Sequence, residues 1–129
     1  MTSVAVGIGC RSGVAATAIV ALVREAFAQA AVSPDGATLF TIDAKRDEVG
    51  LSRAAAELGA PLRYFSRETL AALKTPTQSG YSLAAFGVAS VAESAALAGA
   101  GDGATLIVPR IARDGVTCAL ARIPELHTE

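Results

Sequence analysis

No tryptophan occurs in the chain, and tyrosine and phenylalanine together make up only 5% of its 129 residues. So few aromatic faces leave little on which bases could stack, which argues against single-stranded nucleic acid as a partner. Neither sign of charge is in excess: 11 basic and 12 acidic side chains give a net charge of −1. With no global positive field to draw DNA, RNA or an anionic bilayer, neither nucleic acid nor a membrane is an expected partner. An anionic ligand must be met locally. Cysteine and histidine are equally sparse. Cys10, Cys118 and His127 cannot supply a four-ligand Cys/His zinc site, and the two cysteines form no CxxC pair. No metal and no cofactor are expected, and a reducing compartment is the simplest reading. Met1-Thr2-Ser3 passes straight into an apolar segment without a basic stretch or a long hydrophobic run, the pattern of a cytoplasmic protein.

What is present is small and apolar. Hydrophobic residues make up 52% and charged residues 18%, which excludes a chain held open by charge. Much of the apolar content is alanine, 29 residues, accompanied by 12 glycines. A core of this kind packs its elements closely through small side chains. At this length one domain is expected, spanning residues 1–125, with 126–129 as a loose tail.

Val4-Ala5-Val6-Gly7-Ile8 is a β-branched, uninterrupted apolar run, the pattern of a strand covered on both faces. Apolar residues from Ala15 to Ala30 then recur at helical spacing, with Ser12 as the expected cap. Thr38 to Ile42 reads as a second strand, parallel to the first through a right-handed crossover. A helix over Leu51 to Leu58 ends at Gly59, and Leu62 to Phe65 is a third strand. Ser66 caps a short helix, residues 74–80 form the clearest loop, and Tyr81 to Phe86 adds one or two helical turns. Ser90 and Glu93 make a capping box for a helix that Gly99 is expected to close. Thr105 to Val108 and Val116 to Arg122 are the last strands, joined by the seven residues from Pro109 to Gly115. The expected fold is a three-layer α/β/α arrangement with a mixed, mostly parallel sheet and a C-terminal hairpin.

The strongest local feature is Gly7-Ile8-Gly9-Cys10-Arg11-Ser12-Gly13, a glycine-rich passage from the first strand into the first helix. There, backbone N–H groups and a helix dipole favour a phosphate or carboxylate. The dinucleotide fingerprint needs G-x-G-x-x-G, whereas this run has one residue too many before its last glycine. Asp43, at the end of the second strand, stands where a ribose-binding acid would, so a nucleotide site is a lesser alternative. Arg11, Lys45, Arg46, Lys74, Arg110 and Arg113 fall in predicted loops. Arg11 and Lys45 are expected at the C-terminal edge of the sheet, where open α/β folds bind ligands, with Arg110 arriving after its strand. Such a set suits a ligand carrying several carboxylates. The binding candidates are Gly9, Arg11, Ser12, Gly13, Lys45, Ser90 and Arg110. Cys10, beside Arg11 and near a helix start, is the candidate nucleophile, with its thiol pKa expected to fall. Glu48, close to Lys45, is the candidate general base.

VAVGIGCRSG, TIDAKRDEVGL, GVASVAESAAL and LIVPRIARDGVTCALARI, in this order, resemble the CobE family, the stand-alone form of the C-terminal domain of CbiG from cobalamin biosynthesis. The likeness spans nearly the whole chain. The family pattern falls on Gly7, Gly9, Cys10, Arg11 and Gly13; on Lys45, Glu48 and Gly50; on Gly87, Ser90, Val91 and Glu93; and on Pro109 and Thr117. Family members often carry lysine where this chain has Arg110. The resemblance implies a place in corrin-ring construction, with a carboxylate-rich precorrin or corrinoid intermediate as ligand and other enzymes of the pathway as partners. Full-length CbiG proteins act as cobalt-precorrin-5A hydrolases, opening a lactone and releasing a two-carbon fragment. The chain matches only their C-terminal domain, so binding is the leading expectation and hydrolysis through Cys10 or Glu48 the alternative.

Overall fold

The computed structural model describes residues 4–124, so His127 and the expected tail at 126–129 lie outside the described residues. The first strand, β1, runs Val4–Cys10, two residues further than the apolar run suggests, and is buried at every position. Helix α1 spans Ala16–Ala30 and buries Ile19, Leu22, Val23, Ala26 and Phe27. Strand β2, Thr38–Ile42, leads into a single 3-10 turn, Asp43–Lys45, and then helix α2, Val49–Leu58. Strand β3, Leu62–Phe65, is followed by three helices: α3, Arg67–Ala71; α4, Gly80–Phe86; and α5, Val91–Ala100. Strands β4, Thr105–Arg113, and β5, Val116–Arg122, complete the fold.

The five strands lie in the order β3-β2-β1-β5-β4. Strands β1, β2 and β3 are parallel, while β5 is antiparallel to both β1 and β4. The expected mixed sheet is thus observed. Beyond the β1–β2 ladder, the buried Thr41 hydroxyl donates to Ile8 O at 2.7 Å and holds the C-terminal ends of the two strands together.

Strand alternation divides the core in two. Val4, Val6, Ile8 and Cys10 point into a cluster with α1 and α2, where Leu22, Leu51 and Leu120 also pack. Ala5, Ala119 and Ala121 face the other side, with Phe40, Leu70, Ala92 and Ala96 from β2, α3 and α5. On this second side the small residues do what their abundance suggests. A Cβ added to Gly7 would overlap the carbonyl of Ala92 and stand 2.6 Å from Ala96 N, so α5 lies directly on the β1 backbone.

Four local expectations are corrected. Ser12 does not cap α1: it sits exposed in the turn, and the helix begins after Ala15, with no side-chain cap. Gly99 lies inside α5 against the Phe40 ring, and the helix closes at Gly101. The capping box is one-sided, since Ser90 Oγ accepts from Glu93 N at 3.3 Å but the Glu93 carboxylate points elsewhere. The seven-residue hairpin loop is mostly strand. β4 continues to Arg113 and turns back through Asp114 and Gly115, whose φ values of 54° and 80° suit a tight two-residue hairpin. Pro109 marks a register irregularity between Val108 and Ile111 rather than an end. An edge strand tolerates its missing N–H.

The contact at Gly7 makes a direct test. Gly7→Ala is expected to lower stability by roughly 1–3 kcal/mol in urea unfolding, the usual penalty of overpacking. Gly80→Ala has open space around the new methyl group and should be neutral or slightly stabilising. Equal effects of the two substitutions would contradict the close approach of α5.

Candidate functional site

Where the parallel and antiparallel halves of the sheet meet, the C-terminal ends of β1 and β2 open into a cavity of about 290 Å³. This is the position at which open α/β sheets bind ligands. Gly9, Cys10 and Arg11 from the end of β1, Ile42 and Lys45 from β2 and its 3-10 turn, and Val91 at the start of α5 contribute to its lining. The β4–β5 hairpin adds Arg110, Arg113, Asp114 and Thr117, and the segment leading through α4 adds Ser79, Tyr81, Ser82 and Phe86.

A single buried carboxylate holds these walls in place. Glu93, 0% exposed, accepts from Thr77 N at 3.0 Å, Thr77 Oγ1 at 2.9 Å and Arg110 N at 2.9 Å. It therefore ties the loop before α4 and the irregular stretch of β4 to α5. Ser79 N donates to Ala89 O at 2.7 Å, and Ser79 Oγ caps α4 through Ser82 N, which closes the loop around its short helix.

The cavity is rich in positive charge. Arg113 is neutralised by an ion pair with Glu25. Among the described residues, no ion pair engages Arg11, Lys45 or Arg110, and their side chains make no hydrogen bond. Arg11 stacks its guanidinium 4.7 Å from the centre of the Tyr81 ring, and Lys45 Nζ stands 5.7 Å from that of Phe86. Such cation–π contacts hold the cations without cancelling their charge. Lys45 is the unusual member, since only 6% of it is exposed.

The expected site residues divide. Gly9, Cys10, Arg11, Lys45 and Arg110 meet at the cavity, although Arg110 and Arg113 arrive on strand β4 rather than a loop. Gly13 and Glu48 line a separate depression at the starts of α1 and α2, where Gly13 N donates to Glu48 Oε2 at 3.2 Å. Ser12 is exposed beside them, and Ser90 is a buried helix cap. Arg46 pairs with Asp43 at 2.9 Å, outside the cavity lining, as is Lys74. The amides of the glycine-rich turn are also engaged: Arg11 N donates to Gly115 O at 2.9 Å.

The expected lowering of the Cys10 thiol is reversed. Burial with the α1–α2 core pushes it up to about 11; Lys45 lowers it and Glu48 raises it, both to a smaller extent. Cys118, fully buried in β5, is pushed up to about 12 by burial alone. Both are thiols rather than thiolates near neutral pH.

Tyr81, Phe86, Ser79 and Ser82 escaped the sequence reading. The available signal was aromatic: two of only six aromatic residues stand within the six positions from 81 to 86.

The family profile described as cobalamin synthesis G C-terminus matches residues 4–121. The protein CobE from a Sinorhizobium species is 35% identical over 128 residues, covering 95% of this chain and 82% of that protein. Among solved structures, CobE from the cobalamin (vitamin B12) biosynthetic pathway superposes with a TM-score of 0.89 at 34% identity, over 95% of this chain and 92% of that one. The cobalamin biosynthesis protein chiG from Agrobacterium tumefaciens matches at 35% identity with a TM-score of 0.72, over 95% and 99% of the two chains. A cobalamin biosynthesis protein G homologue from Sulfolobus solfataricus shares the fold at 20% identity and a TM-score of 0.72, and this chain covers 38% of that longer protein.

Two measurements check the site. Glu93→Ala leaves three buried or half-buried donors unpaired and is expected to destabilise the protein by at least ~3 kcal/mol in denaturant unfolding, given roughly 1–3 kcal/mol per unsatisfied buried group. An effect below ~1 kcal/mol would contradict its tying role. Folding raises the Cys10 thiol from its ordinary 9.0 to about 11, so between these values the folded chain keeps a proton that the unfolded chain releases. The resulting stability is complete below about pH 9 and is lost as pH rises towards 11. Iodoacetamide should accordingly alkylate native Cys10 slowly near pH ~8 and the urea-unfolded chain quickly; equal rates would contradict the burial of the thiol.

Proposed function

The chain belongs to the cobalamin synthesis G C-terminus family, the family of CobE, and is a cobalamin biosynthesis protein; from this premise we propose that it binds a carboxylate-rich precorrin or corrinoid intermediate at the cavity between β1, β4 and α4. The observation that supports this reading most is the meeting of Arg11, Lys45 and Arg110 around one opening with no carboxylate paired to them among the described residues. Arginine supplies a planar fork for bidentate carboxylate pairs and lysine a compact charge. The near-neutral chain thereby presents a locally positive mouth to a polyanion. In this role the protein holds an intermediate and passes it between enzymes of the pathway.

The hydrolytic alternative finds less support. Its base, Glu48, already accepts from Gly13 N and faces the neighbouring depression, while its nucleophile, Cys10, is held protonated by burial. The nucleotide alternative loses its ribose acid to the Asp43–Arg46 pair.

Titration of the protein with hydrogenobyrinic acid, followed by its visible absorbance, tests the proposal. Saturable binding that weakens with added salt is expected. The Arg11→Ala, Lys45→Ala double variant should lose at least ~100-fold in affinity, since each charged hydrogen bond contributes about 1.5–3 kcal/mol. Absence of binding at moderate salt, or equal affinity in the double variant, would contradict it.

A further inference from the structure

The cavity is small for the ligand assigned to it. At about 290 Å³ it stands at the lower end of the roughly 300–1,000 Å³ range of pockets that bury most of a drug-sized ligand. A corrinoid macrocycle with its side arms is larger than such a ligand. One of its cations, however, is carried on a mostly buried side chain. Lys45 is more than nine-tenths buried and lines the cavity. Its ammonium has the Phe86 ring on one side and, among the described residues, no carboxylate or hydrogen-bond acceptor. An ammonium that a mostly buried stem holds at the cavity, with no ion-pair partner among the described residues, is a ready contact for an anion that enters. At the rim the character changes: Arg11 is exposed, and Tyr81, 45% exposed, offers an open aromatic ring beside it.

Resting on the corrinoid reading, we infer that the cavity is a side-arm site. It takes the alkyl carboxylates along one edge of the macrocycle, with Lys45 as the buried anchor and Arg11 and Arg110 flanking it, while the ring stays outside against Tyr81. Such a grip encloses a few flexible arms and leaves the opposite edge of the ring uncovered, the arrangement that transfer to an enzyme requires.

The test uses Lys45→Met, which keeps an unbranched apolar stem of similar volume and removes the charge. Two probes are titrated, hydrogenobyrinic acid and the small triacid tricarballylate, the latter against sodium chloride of equal ionic strength. The side-arm site predicts that tricarballylate binds weakly and competes with the corrinoid beyond the effect of salt. It also predicts that Lys45→Met abolishes tricarballylate binding and lowers corrinoid affinity roughly 10-fold or more, as loss of a charged hydrogen bond does. If the corrinoid binds but tricarballylate does not compete, or Lys45→Met binds the corrinoid as tightly, the side-arm site is wrong and the corrinoid reading stands. A triacid bound as tightly as the macrocycle would instead make the cavity a site for free small acids and overturn the inference. If the corrinoid does not bind at all, the reading beneath the inference fails and the inference fails with it.

Discussion

The buried carboxylate of Glu93 is the interaction on which the candidate site depends. Three donors converge on it from two separate segments, the loop before α4 and the irregular stretch of β4. Each of those segments contributes to a wall of the cavity, and the short helix α4 that follows the first of them buries no residue. Glu93 can serve both because α5 lies so close to the sheet. That closeness rests on Gly7, where the absent Cβ lets the Ala92 carbonyl approach the strand, and on the alanines that α5 turns towards it. Small residues thus set the distance, and one acidic residue exploits it.

Electrostatics follows from the same geometry. The chain as a whole is nearly neutral, and two of its cations are paired locally: Arg46 with Asp43 and Arg113 with Glu25. The three cations at the cavity escape this cancellation. Glu93, the nearest obvious counter-charge on the α5 side, spends its oxygens on backbone amides and a hydroxyl, including the amide of Arg110 itself. Aromatic rings rather than carboxylates stand beside Arg11 and Lys45. A ring orients a cation while leaving its hydrogen-bond donors available, which suits a site that must accept carboxylates.

Much of the fold was legible because its signals are local. The apolar run of β1, the stop at Gly59 and the caps at Ser66 and Ser90 all act within a few residues, and the structure carries them as read. The misreadings arose where distant partners decide. Pro109 looks like the end of a strand, yet β4 lies at the sheet edge and bends through the irregularity. Glu93 looks satisfied by a capping box, but Thr77 and Arg110, 16 and 17 positions away, claim its carboxylate. At Cys10, the neighbouring Arg11 suggested activation, whereas strand alternation sends the thiol into the α1–α2 core, and desolvation prevails. Glu48 was placed correctly near the turn after β2 but is drawn to Gly13 in the neighbouring depression. The basic residues at the cavity were legible as a set, since Arg11 and Lys45 both follow parallel strands. The aromatic side of the site was not, because Tyr81 and Phe86 belong to a helix too short to show periodicity.

The central claim is that the uncompensated charge held in this cavity exists to meet ligand carboxylates. It is tested most directly by a crystal structure of the protein with hydrogenobyrinic acid. A carboxylate of the corrinoid should lie ~3 Å from Lys45 Nζ, at hydrogen-bonding distance, with Arg11 and Arg110 on neighbouring arms. A corrinoid bound elsewhere on the surface, with Lys45 still facing only Phe86, would contradict the claim.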